Sequence, residues 1–212
     1  MTITRIRQNI GDQIVSRIRS DVLSGRLQPG SSVIERVLAE EFRVSHTPIR
    51  EAIRQLCNEG LLVLHRNRGA KVAPPADGSV RELFLPIRQN LEAYAVRTCA
   101  ERFKEAHFAR LEGLLQELRF ACDRRDLGAV AENDFHFHGS LIHFAGEQAL
   151  EAVWKTTYFR SRRDLRNGSA GPVDPSRILD EHTEIVRRCR EGDVAGAARV
   201  IEANIAAEIG AD

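Results

Sequence analysis

The stretch from Ile34 to Val72, IERVLAEEFRVSHTPIREAIRQLCNEGLLVLHRNRGAKV, leaves this chain few ways to fold. Ile34, Val37, Leu38 and Phe42 recur at three- and four-residue steps, as do Ile49, Ile53 and Leu56, and the spacing predicts two short amphipathic helices. Between them Phe42-Arg43-Val44-Ser45 has room only for a tight corner. Ser45 or Thr47 can cap the second helix, with Pro48 in its first turn, and Asn58-Glu59-Gly60 stops it. Leu61 to Leu64 then reads as a buried strand and Ala70 to Ala73 as its partner, joined by His65-Arg66-Asn67-Arg68-Gly69, whose glycine allows the turn. Two helices set about a corner and followed by a hairpin form a winged helix-turn-helix, whose second helix offers its N-terminal residues to the major groove of DNA.

The outward-facing residues of this unit suit a polyanion. Arg50 and Arg54 lie one turn apart, on the side away from Ile49, Ile53 and Leu56. Arg66 and Arg68 place charge at the hairpin tip, where a wing meets phosphate or the narrow minor groove. Residues 1–75 hold 12 Lys and Arg against 7 Asp and Glu, while residues 76–212 hold 19 against 23, so a net charge of +1 conceals a positive head and a negative body. The head carries the field that attracts nucleic acid; the body does not.

A length of 212 residues accommodates two domains, each with its own core. Ile10, Ile14, Ile18 and Val22-Leu23 predict a helix from about Asn9 to Ser24, ended by Gly25, on which Arg17 and Arg19 could meet phosphate, although a solvated surface arginine is the commoner fate. Pro74-Pro75-Ala76-Asp77-Gly78-Ser79 has the composition of a linker, which sets the expected organisation as a DNA-binding domain over 1–74, a linker over 75–79 and an effector-binding and dimerisation domain over 80–212. From Val80 onward every periodic stretch is helical. Leu83, Ile87, Leu91, Tyr94 and Ala95 mark the apolar face of a first body helix, and Phe108, Leu111, Leu114-Leu115 and Leu118 that of a second, ending near Asp126. A third runs from about Gly128 to Ala145, and a fourth carries Leu150, Val153-Trp154 and Tyr158. After a break at 167–172, Asp174 or Ser176 opens a fifth through to Gly192, and Asp193 caps a sixth. The fold class is therefore mainly α: a winged head with a small β-hairpin, then an all-α antiparallel helical bundle.

No stretch approaches eighteen consecutive apolar residues and the first residues lack the apolar run of a signal peptide, so a cytoplasmic protein with no membrane partner is expected. Cys57, Cys99, Cys122 and Cys189 are scattered singly, which predicts free, buried thiols rather than a disulfide framework.

One constellation in the body could carry chemistry. Asp134 and His138 are four residues apart and hence stacked on one helical face, where a carboxylate and an imidazole can grip one cation. His182 lies on the fifth helix beside Leu179, Ile185 and Val186, so its face is partly inward. His136 and His143 share a different face and would not join that site.

The head resembles the winged helix of GntR-type bacterial transcriptional regulators, through Pro29-Gly30, Leu38-Ala39-Glu40, the run Val44 to Ala52 and Asn67-Arg68-Gly69. The resemblance implies DNA contacts from Arg36, His46, Arg50 and Arg68-Gly69; with their neighbours the candidate set is Arg36, Ser45, His46, Thr47, Arg50, Arg54, Arg66, Arg68 and Gly69. His46 departs from the pattern, which usually has Arg there. The body resembles the helical ligand-binding domain of FadR-like members, whose hallmark is Asp-x-x-Phe-His, a later Glu-His and a third His around a divalent metal. Asp134 through His138 and Glu181-His182 match, with Asn204 in the last position. The resemblance thus implies a zinc, nickel or manganese ion held by Asp134, His138, His182 and Asn204. It also implies Arg88 as a contact to an acidic effector, against the plainer reading of Arg88 as the salt-bridge partner of Glu92 one turn on.

Together these readings predict a ligand-responsive, homodimeric repressor that binds a double-stranded inverted-repeat operator and senses a small carboxylate-bearing metabolite, and that is not an enzyme. A metal-dependent hydrolase built on the same Asp/His cluster is the alternative, although no nucleophile motif or Gly-rich phosphate loop accompanies it. A purely architectural DNA binder would leave the helical body without a task.

Overall fold

Asn9 starts the first helix by accepting a hydrogen bond from Gly11 N through its side chain, and α1 then runs Ile10–Leu23. The computed structural model describes residues 9–65, 69–161 and 174–207. They divide between Pro74 and Pro75 into two compact units.

In the first unit the chain continues as β1 (Ser32–Val33), α2 (Glu35–Phe42), α3 (His46–Asn58), β2 (Leu62–His65) and β3 (Gly69–Val72). α1 packs on α3, burying Ile14, Val15 and Ile18 with Ile49, Ile53 and Leu56. Arg19 is not a surface residue: it turns inward and donates to Glu59 at 2.7 Å, with both side chains buried. The short β1 goes beyond the expected hairpin. It pairs antiparallel with β3, giving a three-stranded sheet in the order β1-β3-β2, with Val33 opposite Ala70 and Leu62 opposite Val72.

That extra strand accounts for a correction in α2. Ile34 has extended backbone at the N-cap, so it never joins the helical wheel, and it is 53 % exposed; Val37 is 46 % exposed. Ala39 is the buried residue of α2, with Leu38 and Phe42 half-buried beside it. The corner before α3 is made by Arg43 in the left-handed region (φ 54°), with Val44 N donating back to Ala39 O. Ser45 stands at the N-cap of α3 as expected, but its side chain makes no capping bond. Of the strand read as buried, only Leu61 and Leu62 are; Val63 and Leu64 lie on β2 as it leaves the core for the hairpin tip, and both are exposed.

The second unit holds α4 (Gly78–Cys99), a short 3-10 turn (Ala100–Arg102), α5 (Glu105–Asp123), α6 (Leu127–Phe144), α7 (Gln148–Ser161), α8 (Pro175–Arg190) and α9 (Val194–Ala207), and no strand among its described residues. Asp77 Oδ1 accepts from Val80 N, so α4 begins within the segment read as linker. Asp126 caps α6, and Asp174 caps α8 with Pro175 in its first position. The break expected at 167–172 lies outside the described residues. α4 packs against α6, α7 and α9, and α5 against α6 and α8. Leu85, Val96, Leu111, Leu114, Phe137, Leu141, Ile185 and Ile201 form the core between them.

Only part of the apolar stripe expected for α4 faces inward: Ala95 is buried and Leu91 half-buried. Leu83 is 63 % and Tyr94 52 % exposed, and Ile87 is exposed as well, while Leu85, Arg88, Glu92 and Val96 face inward. Arg88 and Glu92 neutralise each other one turn apart, which offsets part of the penalty of burying their charges. The four cysteines are free; Cys99 and Cys189 are buried, whereas Cys57 and Cys122 are half-buried. Burial pushes the Cys99 thiol up to about 11 and that of Cys189 to about 12.

Candidate functional site

On the first unit, Ser45, His46, Thr47, Arg50 and Arg54 stand exposed along the first turns of α3. Arg36 is exposed on α2 and donates to Glu40 one turn on, at 2.8 Å. Gly69 (φ 72°) opens β3 at the base of the wing, opposite His65. Arg66 and Arg68 lie outside the described residues. The sequence reading missed Glu35. From the first turn of α2 its Oε2 accepts from Arg50 Nε at 2.9 Å and lies 3.8 Å from His46 Nδ1. An acidic residue at a helix N-terminus is stabilised by the partial positive charge there, which was the available signal. One carboxylate thus holds the main candidate base-reading arginine and borders the residue that opens the helix.

In the second unit, α6 supplies Asp134 and His138 one turn apart, and α8 supplies His182. Potential ligand atoms of the three lie within 4.8 Å of one another. Asp134 Oδ1 is 3.3 Å from His182 Nε2 and 3.6 Å from His138 Nε2, and the two imidazole rings stand nearly perpendicular, at 82°. Both histidines have no exposed surface, so His182 is wholly rather than partly inward. The other nitrogen of each ring meets an oxygen. His182 Nδ1 donates to the Ile178 carbonyl at 2.7 Å, while His138 Nδ1 lies 2.5 Å from Glu92 Oε2, short but not aligned as a linear hydrogen bond. Tyr158 donates its hydroxyl proton to Asp134 Oδ2 at 2.6 Å, orienting that carboxylate as well.

These residues fit a divalent cation. Two Nε2 atoms, buried and without a hydrogen-bond partner among the described residues, face one carboxylate oxygen, while the far nitrogen of His182 is hydrogen-bonded and that of His138 lies beside Glu92. Metal-bound histidines show this division of roles, and an imidazole, imidazole and carboxylate set suits zinc, nickel or manganese. Asn204 comes from α9 and is buried. Its Nδ2 donates to Glu181 Oε2 at 2.5 Å, leaving Oδ1 without a hydrogen-bond partner among the described residues.

Arg88 lies next to this cluster. Its Nε donates to Glu92 Oε1 at 2.7 Å and its guanidinium covers the Tyr158 ring at 4.5 Å, with the whole side chain buried. The salt bridge with Glu92 is therefore formed. Burial alone would raise the Glu92 carboxyl, but the charges of His138 and Arg88 outweigh it and hold the group at about 2. Burial likewise works against a charged His138, and the facing Glu92 and Asp134 overcome it, leaving that imidazole raised.

His136 and His143 are apart from the cluster, as expected. They line a groove of about 310 Å³ on the outer side of α6, with Arg110 and Lys155 at its rim and Phe135 and Trp154 beneath.

Residues 10–72 match the family described as bacterial regulatory proteins, gntR family, and residues 84–207 match the FCD domain. The HTH-type transcriptional repressor RspR of Escherichia coli (strain K12) is 31 % identical over 196 residues, covering 90 % of this chain and 84 % of that protein. A probable D-xylose utilization operon transcriptional repressor of Paenarthrobacter nicotinovorans is 27 % identical over 202 residues, covering 95 % and 88 %. Among solved structures, that of E. coli McbR/YncC superposes with a TM-score of 0.72 at 21 % identity over 94 % of this chain and 96 % of the other, a likeness of fold.

Proposed function

The chain belongs to the GntR family of bacterial regulatory proteins, in its FCD-bearing, FadR-like subfamily, and from that premise we propose that it is a homodimeric cytoplasmic repressor released from its operator by a small acidic metabolite. It is a DNA-binding transcriptional regulator with a ligand-binding helical domain; the repressor role, the effector class and the dimer are our reading. Repression follows the two relatives just described, both of which are repressors by name. A dimer follows from the small size of one head, which can contact only a few base pairs, so that symmetric pairing on an inverted repeat doubles the contacts.

The observation that carries the sensing role is the pair of buried imidazoles presenting Nε2 to one carboxylate oxygen. When bound there, a divalent ion supplies a Lewis-acidic centre that an effector carboxylate can coordinate. Asp134, His138 and His182 would hold it, and Asn204 would offer a neutral oxygen as a weaker fourth donor. Tyr158 fixes Asp134, and the Ile178 carbonyl fixes His182.

Two measurements test this reading. Arg50→Ala should weaken binding to the operator by about 1 to 3 kcal/mol if Arg50 reads a guanine, measured by fluorescence anisotropy with labelled duplex. Added zinc, nickel or manganese should raise the melting temperature of the wild type, less that of His182→Ala, and more that of Asn204→His. A wild type and an Asn204→His variant that both ignore metal would leave the three residues as structural groups.

A further inference from the structure

Glu92 is a carboxylate with no exposed surface, crowded by groups from three helices. Its Oε1 accepts from Arg88 Nε at 2.7 Å and from Trp154 Nε1 at 2.7 Å, and its Oε2 lies 2.5 Å from His138 Nδ1. Arginine and the indole nitrogen can only donate, so both act on Oε1 as fixed donors. The remaining oxygen keeps its lone pairs for His138. A bare imidazole nitrogen at that distance would set lone pair against lone pair, so the nitrogen facing Glu92 is the one that carries hydrogen. In the neutral ring this leaves the lone pair on Nε2, the atom turned toward Asp134.

We propose that Glu92 is the positioning residue of the metal centre: it selects the His138 tautomer whose Nε2 is open to the ion, and Arg88 and Trp154 hold it in place to do so. The inference rests on the reading of Asp134, His138 and His182 as ligands. The two histidines are then clamped differently. His182 is held by a main-chain carbonyl, which no side-chain substitution removes, whereas His138 depends on one replaceable carboxylate.

Glutamine separates this role from simple space-filling. An amide has one acceptor end and one donor end, and two fixed donors already claim the acceptor. The amide oxygen therefore turns to Arg88 and Trp154, and its NH₂ faces His138 Nδ1. That forces Nδ1 to accept and moves the imidazole proton to Nε2, into the path of the ion.

The test is zinc affinity by chelator competition, together with long-range ¹H–¹⁵N spectra of the histidine rings in the full-length protein before zinc is added. Glu92→Gln should lose about 10- to 100-fold in zinc affinity, the range for groups that orient a metal ligand from behind. Trp154→Phe removes one donor from Oε1 without touching His138 and should change affinity by no more than about 3-fold. In the wild type the spectra should place the His138 proton on Nδ1. Wild-type zinc affinity in Glu92→Gln with His182→Ala impaired, or a wild-type proton on Nε2, overturns the role of Glu92 while leaving the ligands standing. If His182→Ala also binds zinc like the wild type, the metal reading falls and the role of Glu92 with it. Should Glu92→Gln fail to fold, the wild-type spectra still decide the tautomer.

Discussion

Glu35 sets how much of Arg50 a duplex meets. In the unbound head the Arg50 guanidinium is already occupied by that carboxylate at 2.9 Å, and DNA must displace it. An exposed pair of this kind is worth about 0.2 to 1 kcal/mol, so Glu35→Gln should tighten non-specific duplex binding by roughly 1.5- to 5-fold. A weaker-binding Glu35→Gln would mean that the carboxylate orients Arg50 for DNA rather than competing for it. His46, exposed and 3.8 Å from the same carboxylate oxygen, lacks the permanent charge and the fork of a guanidinium. His46→Arg should steepen the salt dependence of duplex binding by about one phosphate contact; an unchanged slope would remove position 46 from the interface. Such residues also mark the limit of what the chain discloses in one dimension. Asp134 and His138 could be found because their four-residue spacing is itself geometry, His182 because its apolar neighbours turn its face inward, and Asn204 because a resemblance supplied it. Glu35 and Glu92 look like ordinary helical glutamates, and their importance depends on partners 15 and 46 positions away.

At the scale of the element, α4 shows why periodicity can identify a helix and still misplace its faces. Leu83, Ile87, Leu91 and Tyr94 fall on one stripe, and the hydrophobic pattern assigns that stripe to the core. The four-residue spacing gives the Arg88–Glu92 pair, but pattern reading cannot detect that this pair finds Trp154 and His138 inside the bundle. β1 was missed for a related reason: two residues carry no period, and only the partner strand defines them. The cap at Asp174 and the start of α1 at Asn9 are legible, whereas Asp77 and Asp126 cap α4 and α6 from stretches that read as a linker and as a helix end. The contact of α6 with α7 makes a prediction of its own. A Cβ at Gly139 would stand 3.1 and 3.2 Å from the Trp154 ring, and that ring is pinned by its bond to Glu92 and stacked on Phe135. The better helix propensity of alanine, about 1 kcal/mol, is then set against an overpacking cost of about 1 to 3 kcal/mol. Gly139→Ala should lower the melting temperature by a few degrees in calorimetry; an increase would show that the indole can yield.

Taken whole, the chain separates its charges and its tasks between two units, a positive reader and a negative sensor. The outward stripe of α4 is the surface we expect a second copy to cover, because three large apolar side chains on one helix are costly to leave in water. Ile87→Glu should shift the protein from dimer to monomer in light scattering and weaken operator binding on the order of 100-fold, since a lone head loses its tethered partner. A dimer that survives the charge would place the seam elsewhere. The aromatic residues are divided as unevenly as the charges. Trp154 is the single tryptophan of the chain, and it and both tyrosines, Tyr94 and Tyr158, belong to the helical body. The DNA-reading unit is therefore spectroscopically dark above the phenylalanine range. Intrinsic emission on adding operator comes wholly from the sensor, so any change in it is a direct optical record of the head speaking to the body.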